Sequence, residues 1–311
     1  MNLTGIDAIT YGAEDLKEAR RFLADWGLKK VKSSAQAAVF ETLDGGEVLV
    51  RPKTAKALLP AIEPGPTLRE VTWGVSGQRA LDALVKRLGK SFDVTVRKDG
   101  SALLTDPMGM AVGLRVKRRR KVKAAGSPAN TADRVQRIDK PARVYDRAEP
   151  VSIGHVVLNV PDLAEMEAFY TGHLGFQVSD RYPGRGVFLR CQKRGGHHNL
   201  FLLQLPTGKA GLNHVAFTVR DIHEVFGGGL HVSRAGWETQ IGPGRHPISS
   251  AYFWYVKNPC GGLVEYYADE DYLTEKWRPR KFQPSPELFA EWAIDGGLDG
   301  MSRRQRVPKA S

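Results

Sequence analysis

A repeated pattern of hydrophobic and polar positions runs through most of the chain. Gly5–Leu28 and Ser152–Phe176 each begin with a short apolar run, continue through Asp-Leu into a stretch with apolar residues three or four positions apart, and end at a Gly before a new apolar run. This spacing forms one face of an amphipathic helix. The predicted buried stripes are Leu16, Ala19, Phe22 and Leu23 in the first segment and Leu163, Met166, Phe169 and Tyr170 in the second.

The same pattern recurs in Glu70–Leu88 and His214–Leu230, and each predicted helix is followed by about three strand-like runs. Four modules of strand, helix and three strands therefore account for most of residues 1–270. Two such modules can pool their strands into one curved sheet with the helices outside. The sequence predicts an α+β fold of four βαβββ modules in two tandem domains, each a curved mixed sheet.

Changes in composition indicate where the domains begin and end. We expect an N-terminal domain over residues 1–118, a basic linker over 119–148 that is rich in Ala, Ser, Pro and charge, and a C-terminal domain over 149–270. Residues 271–311 form a tail with a different composition. In this tail Ser285 and Pro286 indicate the start of a short helix that could fold back over the second domain as a lid, and residues 301–311 are expected to fray.

Histidine is distributed unevenly along the chain, since all eight histidines lie after residue 150. His155 and His214 hold the same place in the first strands of the third and fourth modules, and Glu265 lies in the last strand of the fourth. A carboxylate in an apolar strand must be paired, exposed or bound to a metal. The pseudo-twofold that relates paired modules would bring these three residues face to face. Two imidazoles and one carboxylate leave coordination positions open, which suits ferrous iron.

The N-terminal modules lack these residues. Alignment of the repeats puts Ala8 opposite His155, Glu70 opposite His214 and Gly113 opposite Glu265. If the three residues served only the fold, both halves would need them. The comparison therefore predicts an N-terminal domain without metal ligands and a catalytic C-terminal domain.

The segment 244–265 reads GRHPISSAYFWYVKNPCGGLVE and contains a spaced set of Gly, His, aromatic, Asn, Pro and acidic positions. This set resembles the motif of the type I extradiol ring-cleaving dioxygenases of the vicinal oxygen chelate superfamily, and the resemblance extends over residues 1–270. One position departs from the family pattern, because Trp254 stands where a smaller apolar residue is usual. The matching positions are Gly244, His246, Tyr255, Asn258, Pro259, Gly261 and Glu265.

The resemblance implies a role for several residues. His155, His214 and Glu265 would be the ligands of Fe(II), with Mn(II) as the alternative metal. His198 would be the acid/base, and His246 and Tyr255 would contact the bound catechol. Tyr267, two residues beyond Glu265 and so on the same face of its strand, would also line the substrate site. His197 is expected to face solvent.

The implied activity is extradiol (meta) cleavage of a catechol-type diol by dioxygen, in aromatic-compound catabolism. The number of rings in the substrate stays open. Pocket candidates are Trp237, Trp254 and Tyr267, with Trp277 and Phe282 in the tail. The alternatives are another metal-dependent enzyme of the superfamily (an isomerase or lyase) and a non-catalytic protein that binds a ligand or nucleic acid.

The nucleic-acid-binding alternative rests on the net charge of +12 and the pI near 9.7. Much of the excess lies in the basic run 115–123, and such runs are usually solvated. The chain has two cysteines without a CxxC pair, and it has neither a signal-peptide pattern nor a run of 18 apolar residues. We therefore expect a cytoplasmic protein without membrane contact. Edge strands of such sheets often pair, which favours a homo-oligomer.

Overall fold

The computed structural model describes residues 3–296 of the 311-residue chain. Its first half contains two strand-helix-strands modules, and the bounds are β1 (Leu3–Ala13), α1 (Leu16–Asp25), β2 (Lys29–Ser34), β3 (Ala37–Glu41), β4 (Glu47–Pro52), β5 (Thr67–Val75), α2 (Gln78–Leu88), β6 (Thr95–Val96), β7 (Ala102–Thr105) and β8 (Ala111–Val116).

The second half repeats the arrangement and adds the tail. Its bounds are β9 (Ser152–Asn159), α3 (Leu163–Ala168) with a π-helical turn (Phe169–His173), β10 (Gln177–Tyr182), β11 (Gly186–Arg190), β12 (Gly195–Gly196), β13 (Leu200–Leu203), β14 (Gly211–Thr218), α4 (Ile222–Arg234), β15 (Thr239–Arg245), β16 (Tyr252–Lys257), β17 (Leu263–Ala268), β18 (Tyr272–Leu273), β19 (Arg280–Lys281), α5 (Pro286–Phe289) and β20 (Trp292–Gly296). The α+β prediction of four modules is confirmed.

Helices α1 and α3 begin where the sequence places polar caps. The side chain of Asp15 accepts hydrogen bonds from the amides of Lys17 and Glu18, and Asp162 accepts one from the amide of Glu165. Such caps satisfy amide groups that have no partner within the helix. The predicted stripes are buried, namely Leu16, Ala19, Phe22 and Leu23 in α1 and Leu163, Met166, Phe169 and Tyr170 from α3 into the π-helical turn.

The strands form two large mixed sheets and one small one. The first half gives an eight-stranded sheet in the order β2-β3-β4-β1-β5-β8-β7-β6, and the second half gives a ten-stranded sheet in the order β19-β10-β11-β13-β9-β14-β17-β16-β15-β20. In each sheet the first strands of two modules pair antiparallel at the centre, β1 with β5 and β9 with β14. This pairing brings equivalent positions of two modules next to each other.

The tail attaches to both edges of the ten-stranded sheet. Strand β19 pairs with β10 at one edge, and β20 pairs with β15 at the other. The helix predicted at Ser285 and Pro286 is present as α5, but it is a single turn, and β19 and β20 were not predicted. Residues 297–311, including the segment expected to fray, lie outside the described residues.

The two halves share one hydrophobic core. Trp26, at the end of α1, stacks on Tyr266 of β17 with ring centroids 3.6 Å apart, and the Tyr266 hydroxyl donates a hydrogen bond to the Trp26 carbonyl. Removal of such a buried indole typically costs about 3–5 kcal/mol. The contact fixes strand β17 of the second sheet against the first helix of the chain.

The basic run folds onto the N-terminal sheet. Arg115 is buried, its guanidinium contacts Asp7 and Glu47, and Arg119 lies 3.5 Å from Asp7. Arg120 lies 3.7 Å from Glu41. These arginines are paired with carboxylates of their own chain, which reduces the charge that a nucleic acid could contact. No helix among residues 3–296 is long and apolar enough to span a membrane.

Candidate active site

One row of side chains crosses four neighbouring strands of the ten-stranded sheet. His155 on β9 lies opposite Ala216 on β14, Ala216 lies opposite Glu265 on β17, and Glu265 lies opposite Tyr255 on β16. Residues opposite one another in register point to the same face of a sheet. His214 is two residues before Ala216 and therefore points to this face as well.

The two histidines and the glutamate converge on one point. The Nε2 atoms of His155 and His214 are 3.2 Å apart, and they lie 3.1 Å and 3.3 Å from the same Oε2 of Glu265. All three side chains are buried. Among residues 3–296 these three form the group of His, Cys, Asp and Glu side chains whose donor atoms could hold one metal ion, and the atoms lie within 4.8 Å of one another.

The cluster has the chemistry of a cation site. Both carboxylate oxygens of Glu265 are buried without a hydrogen-bond partner. A buried carboxylate without compensation is strongly unfavourable. Ligand bonds of about 2.1 Å at right angles place donor atoms about 3 Å apart, and the observed separations agree with this spacing. The donors thus fit a divalent metal.

The orientation of His214 is set by the residue before it. Nδ1 of His214 lies 2.8 Å from Oδ1 of Asn213, an oxygen that can only accept a hydrogen bond. The ring proton is therefore on Nδ1, and Nε2 presents its lone pair to the cluster. Carbonyl oxygens that hold a ligand histidine in this way are typical of metal sites.

The charges in the cluster follow from its burial. Burial lowers the pKa of His155, against the neighbouring Glu265, which raises it. A neutral imidazole and an ionised carboxylate are the forms that bind metals.

His246 and Tyr255 form a hydrogen-bonded pair beside the cluster. Nε2 of His246 lies 3.1 Å from the Tyr255 hydroxyl and 3.4 Å from Oε1 of Glu265. Nδ1 of His246 lies 2.5 Å from the carbonyl oxygen of Phe289 in the tail. Because a carbonyl only accepts, the His246 proton is on Nδ1, and Nε2 accepts the hydrogen bond from Tyr255. The tail thus fixes the orientation of His246.

His198 lies on the other side of the cluster. Its ring centroid is 4.1 Å from that of His155, and the side chain is buried. Burial lowers the pKa of His198 well below its usual value, and the neighbouring His155 and His197 lower it further. The imidazole is therefore neutral near pH 7 and can accept a proton.

The expectation that His197 faces solvent is wrong. The His197 side chain is fully buried, and its two ring nitrogens contact Asp180 and His198. Nothing in the local sequence GHHN distinguishes the two histidines by exposure, because the burial of His197 depends on Asp180 and Arg280 from other strands.

A cavity of about 620 Å³ opens above the cluster. His155, His198, His214, His246, Tyr255 and Glu265 line its polar end. Its other walls are mostly apolar and include part of the tail. The apolar lining residues include Val157, Phe188, Phe201, Leu203, Ile248, Pro286, Leu288 and Phe289. Cavities of roughly 300–1,000 Å³ with a few polar groups are typical of small-molecule sites.

Several pocket candidates lie elsewhere. Trp237 packs on Phe22 in the shared core, and the Trp254 indole donates a hydrogen bond to Thr239. Neither lines the cavity, and Trp277 and Phe282 do not line it either. These residues serve packing. The tail contributes Leu288 and Phe289 instead.

Tyr267 lines the cavity, as the sequence predicts, but its hydroxyl is already engaged. It accepts a hydrogen bond from Thr218 and donates one to Glu270, at 2.8 Å and 3.2 Å. Glu270 also accepts a hydrogen bond from the His197 amide. Burial raises the pKa of Glu270 to about 7, although the His197 amide lowers it.

Three residues of the site were missed by the sequence analysis: Asn213, Asp180 and Glu270. Asn213 could have been found, because it immediately precedes the ligand candidate His214 in the motif NHVAF. Asp180 and Glu270 carry no such local signal. Their part in the site depends on contacts across the sheet.

The N-terminal sheet carries a different set of residues in the same registers. Ala8 lies opposite Thr72, and Thr72 lies opposite Gly113. These are the registers of His155, Ala216 and Glu265 in the other sheet. Glu70, which takes the place of His214, is bound by both guanidinium nitrogens of Arg97 at 2.8 Å and 2.9 Å. An ion pair occupies this half where the other half has the three-residue cluster.

Comparisons with known proteins give matches over the part of the chain that contains the cluster. The family model of the Glyoxalase/Bleomycin resistance protein/Dioxygenase superfamily matches residues 152–266. Metapyrocatechase 2 of Cupriavidus necator is 33% identical over 151 residues, which are 48% of this chain and 46% of that protein. The 2,2',3-trihydroxybiphenyl dioxygenase of Sphingomonas paucimobilis is 32% identical over 118 residues, which are 36% of this chain and 40% of that protein.

The matches to these two curated relatives thus span less than half of their length. Among solved structures, the Mn(II)-bound glyoxalase from Novosphingobium aromaticivorans has a TM-score of 0.77 at 23% identity, and covers 99% of this chain and 97% of its own. This likeness shows the fold of the whole chain. The matched family model agrees with the resemblance found in the sequence: residues 152–266 of this chain are similar to the Glyoxalase/Bleomycin resistance protein/Dioxygenase superfamily.

Proposed function

We propose that this chain catalyses extradiol (meta) cleavage of a catechol-type aromatic diol by dioxygen, at a non-haem Fe(II) held by His155, His214 and Glu265. The main support for the proposal is that the ligand atoms of these three side chains converge at the polar end of a mostly apolar cavity. Two histidines and one carboxylate with open positions are the ligand set of non-haem Fe(II) oxygenases. The name of the trihydroxybiphenyl dioxygenase relative agrees with it.

A redox metal bound here would lower the pKa of a catechol hydroxyl as a Lewis acid and provide a route for electrons from the ring to dioxygen. The three protein ligands leave the other coordination positions of the metal open for the diol and dioxygen. The ring would open next to a hydroxyl-bearing carbon, and both atoms of dioxygen would stay in the product, a yellow 2-hydroxymuconic semialdehyde or its substituted equivalent.

His198 is the proposed acid/base. It lies next to His155 in the cavity wall, and its lowered pKa keeps it neutral at the pH at which a hydroxyl proton must be removed. A positioned imidazole can take a proton from one oxygen of the substrate and return it to another oxygen in a later step. General acid–base catalysis of this kind contributes about 10²–10⁴-fold to a rate.

His246 and Tyr255 are proposed to hold the substrate oxygens on the side opposite His198. Their hydrogen bond to each other and the link from His246 to the Phe289 carbonyl fix both side chains before substrate binds. Groups that are already oriented lose little entropy when they bind a ligand. Tyr267 would contribute ring surface, since its hydroxyl is bound to Thr218 and Glu270.

The remaining walls of the cavity suit an apolar aromatic ring. Phe188, Phe201 and Leu288 belong to one packed cluster of the wall, and Phe289 of the tail packs with Tyr255 in another. An apolar enclosure excludes water from the ring, and it strengthens the electrostatic contacts at the polar end.

Oxygen uptake is the direct test. Purified full-length protein is reconstituted with Fe(II), or with Mn(II), without oxygen, and is then mixed with a panel of catechols in an oxygen electrode. We expect one dioxygen consumed per catechol and a yellow product. His198→Phe should keep its metal and lose turnover, whereas His155→Ala should lose the metal. Absence of uptake with every catechol in the panel, in protein shown to contain metal, would contradict the proposal.

A second candidate is a metal-dependent isomerase or lyase of the same superfamily. The observation that favours it is Glu270, a carboxyl in the cavity wall with a pKa of about 7, which suits proton transfer to and from carbon. Such an enzyme would convert its substrate without oxygen. The same reconstituted protein, assayed without oxygen against 2-oxoaldehydes with thiol, distinguishes the two activities.

A further inference from the structure

Three buried side chains form a hydrogen-bonded chain that ends at His198. Nε2 of His197 lies 2.9 Å from Oδ2 of Asp180, and Nδ1 of His197 lies 3.2 Å from Nδ1 of His198. All three side chains are buried. Asp180 and His197 have no part in the roles proposed so far, which belong to the metal ligands, His198 and the His246–Tyr255 pair.

The direction of the hydrogen bonds is fixed at Asp180. Its carboxylate accepts hydrogen bonds from the Arg280 amide at 2.7 Å and from the Arg280 guanidinium at 2.6 Å. Burial alone would raise the pKa of Asp180, but the bonds from His197 and Arg280 outweigh it and lower the pKa. An ionised carboxylate only accepts. Nε2 of His197 therefore carries a proton and donates it to Asp180.

The direction of the bond between His197 and Asp180 determines the direction of the bond between His197 and His198. When His197 is neutral it has one donor nitrogen and one acceptor nitrogen, and because Nε2 donates to Asp180, Nδ1 is then the acceptor. The hydrogen bond between the two Nδ1 atoms then needs its proton on His198. Nδ1 of His198 donates, and its Nε2 carries the free lone pair. The reverse order would place a His197 lone pair against the Asp180 carboxylate, which is repulsive.

We propose that Asp180 and His197 are positioning residues that hold His198 as the Nδ1–H tautomer, with Nε2 as the proton acceptor. The part of this inference that concerns substrate rests on the proposed function, whereas the tautomer does not. Arg280 belongs to the tail strand β19 and donates to Asp180. The position of the tail on the sheet is therefore coupled, through Asp180 and His197, to the orientation of His198.

Two substitutions at His197 separate the contacts it makes. In His197→Asn the amide oxygen can take the place of Nδ1, so the acceptor for His198 is kept and the bond to Asp180 is lost. In His197→Gln the amide nitrogen can take the place of Nε2, so the bond to Asp180 is kept and the acceptor for His198 is lost. The pair has similar polarity, and thermal melts establish that each variant folds.

The tautomer is measured by NMR of ¹⁵N-labelled imidazoles in the full-length protein, metal-free and again with Zn(II). The His198 signals are identified by their loss in His198→Gln. We expect the Nδ1–H form in the wild type and in His197→Asn, and loss of that form in His197→Gln. An Nε2–H form in the wild type, or an unchanged His198 in His197→Gln, would overturn the inference. This measurement needs no turnover, so its result stands whether or not catechols are cleaved.

Kinetics with the Fe(II) protein add a second measurement. His197→Gln should lower kcat about 10–100-fold, a partial loss of the roughly 10²–10⁴-fold that general acid–base catalysis contributes, with KM for the catechol within about twofold of wild type. His197→Asn should retain most of kcat. A merely structural role for His197 predicts the opposite order, because His197→Asn is the variant that loses the contact with Asp180. That order would refute the positioning role even if both proteins cleave catechol.

Discussion

Ala216 lies directly opposite Glu265 across the parallel pair β14 and β17. On its other side β14 pairs with β9, where His155 occupies the matching register. The smallest side chain of the row therefore stands between two proposed ligands. A methyl group leaves space between the imidazole and the carboxylate, and the separation of their donor atoms depends on that space.

Enlarging Ala216 should block metal binding without changing a ligand. Ala216→Leu would insert three more carbon atoms into a fully buried position beside the cluster. We expect metal content after reconstitution to fall at least tenfold, with an overpacking cost of about 1–3 kcal/mol in unfolding free energy. Elemental analysis and urea unfolding measure the two effects.

Thr72 provides the matched control, because it holds the same register in the N-terminal sheet. Thr72→Leu should bring a similar loss of stability and leave metal content unchanged. Full metal occupancy in Ala216→Leu would show that the ion is bound elsewhere.

Metal binding should stabilise the folded chain through Glu265. A ligand that binds only the folded state adds about 2.7 kcal/mol at a concentration of 100 times its Kd. We expect Tm to rise by several degrees when Fe(II) or Mn(II) is added to the chelated protein, and Glu265→Gln to abolish that rise. Differential scanning calorimetry under nitrogen measures it.

Glu70→Gln is the control for charge, since Glu70 is a buried carboxylate paired with Arg97 in the other sheet. Its Tm should still respond to metal. A metal-dependent rise that survives in Glu265→Gln would exclude Glu265 as a ligand.

The sequence was sufficient where information is local or repeated. The helix stripes are short-range patterns, and the placement of His155 and His214 follows from two copies of one module. The register between β9 and β14 then brings them together. The burial of His197 could not be predicted in this way, because it depends on Asp180, 17 residues away, and on Arg280 in the tail.

The residues that form the cavity wall also could not be predicted from the sequence. Aromatic residues are equally suited to a core and to a pocket. Trp254 of β16 and Trp237, in the segment between α4 and β15, both pack in the interior. The tail shows the same limit. Ser285 and Pro286 predict a helix, but only the pairing of β19 and β20 with opposite edges of the sheet places Phe289 beside His246.

Phe289 should affect substrate binding more than turnover. Its ring packs 5.2 Å from His246 and 6.0 Å from Tyr255, measured between centroids, and it lines the cavity. Phe289→Ala removes this surface but keeps the backbone carbonyl that binds His246. We expect KM for catechols to rise about fivefold to thirtyfold, as about 1–2 kcal/mol of apolar contact is lost, with kcat within threefold.

Leu288→Ala is the neighbouring comparison, since Leu288 lines the cavity without contacting the His246 ring in this way. It should raise KM without any change in kcat. A fall in kcat with unchanged KM for Phe289→Ala would instead assign the residue to the chemical step.

Glu270 should make stability depend on pH in a direction that its substitution reveals. Its pKa is about 7 in the folded chain, against 4.5 for an ordinary glutamate, and burial is the main cause. Between these values the folded state keeps a proton that the unfolded state has lost. The free energy of unfolding contributed by this group therefore falls as pH rises from 4.5 to 7 and is constant above that.

Glu270→Gln mimics the protonated carboxyl and can keep the hydrogen bond from the His197 amide. We expect this variant to match wild type near pH 4.5 and to be more stable by roughly 1–2 kcal/mol at pH 8, because the side chain is partly exposed and the full shift is not realised. Urea unfolding of the metal-free proteins across this range measures the difference. Glu238→Gln, at an exposed carboxylate paired with Lys257, should show no comparable gain at pH 8. A Glu270→Gln protein that is less stable than wild type at pH 8 would mean that the ionised carboxylate is needed for its contacts with His197 and Tyr267.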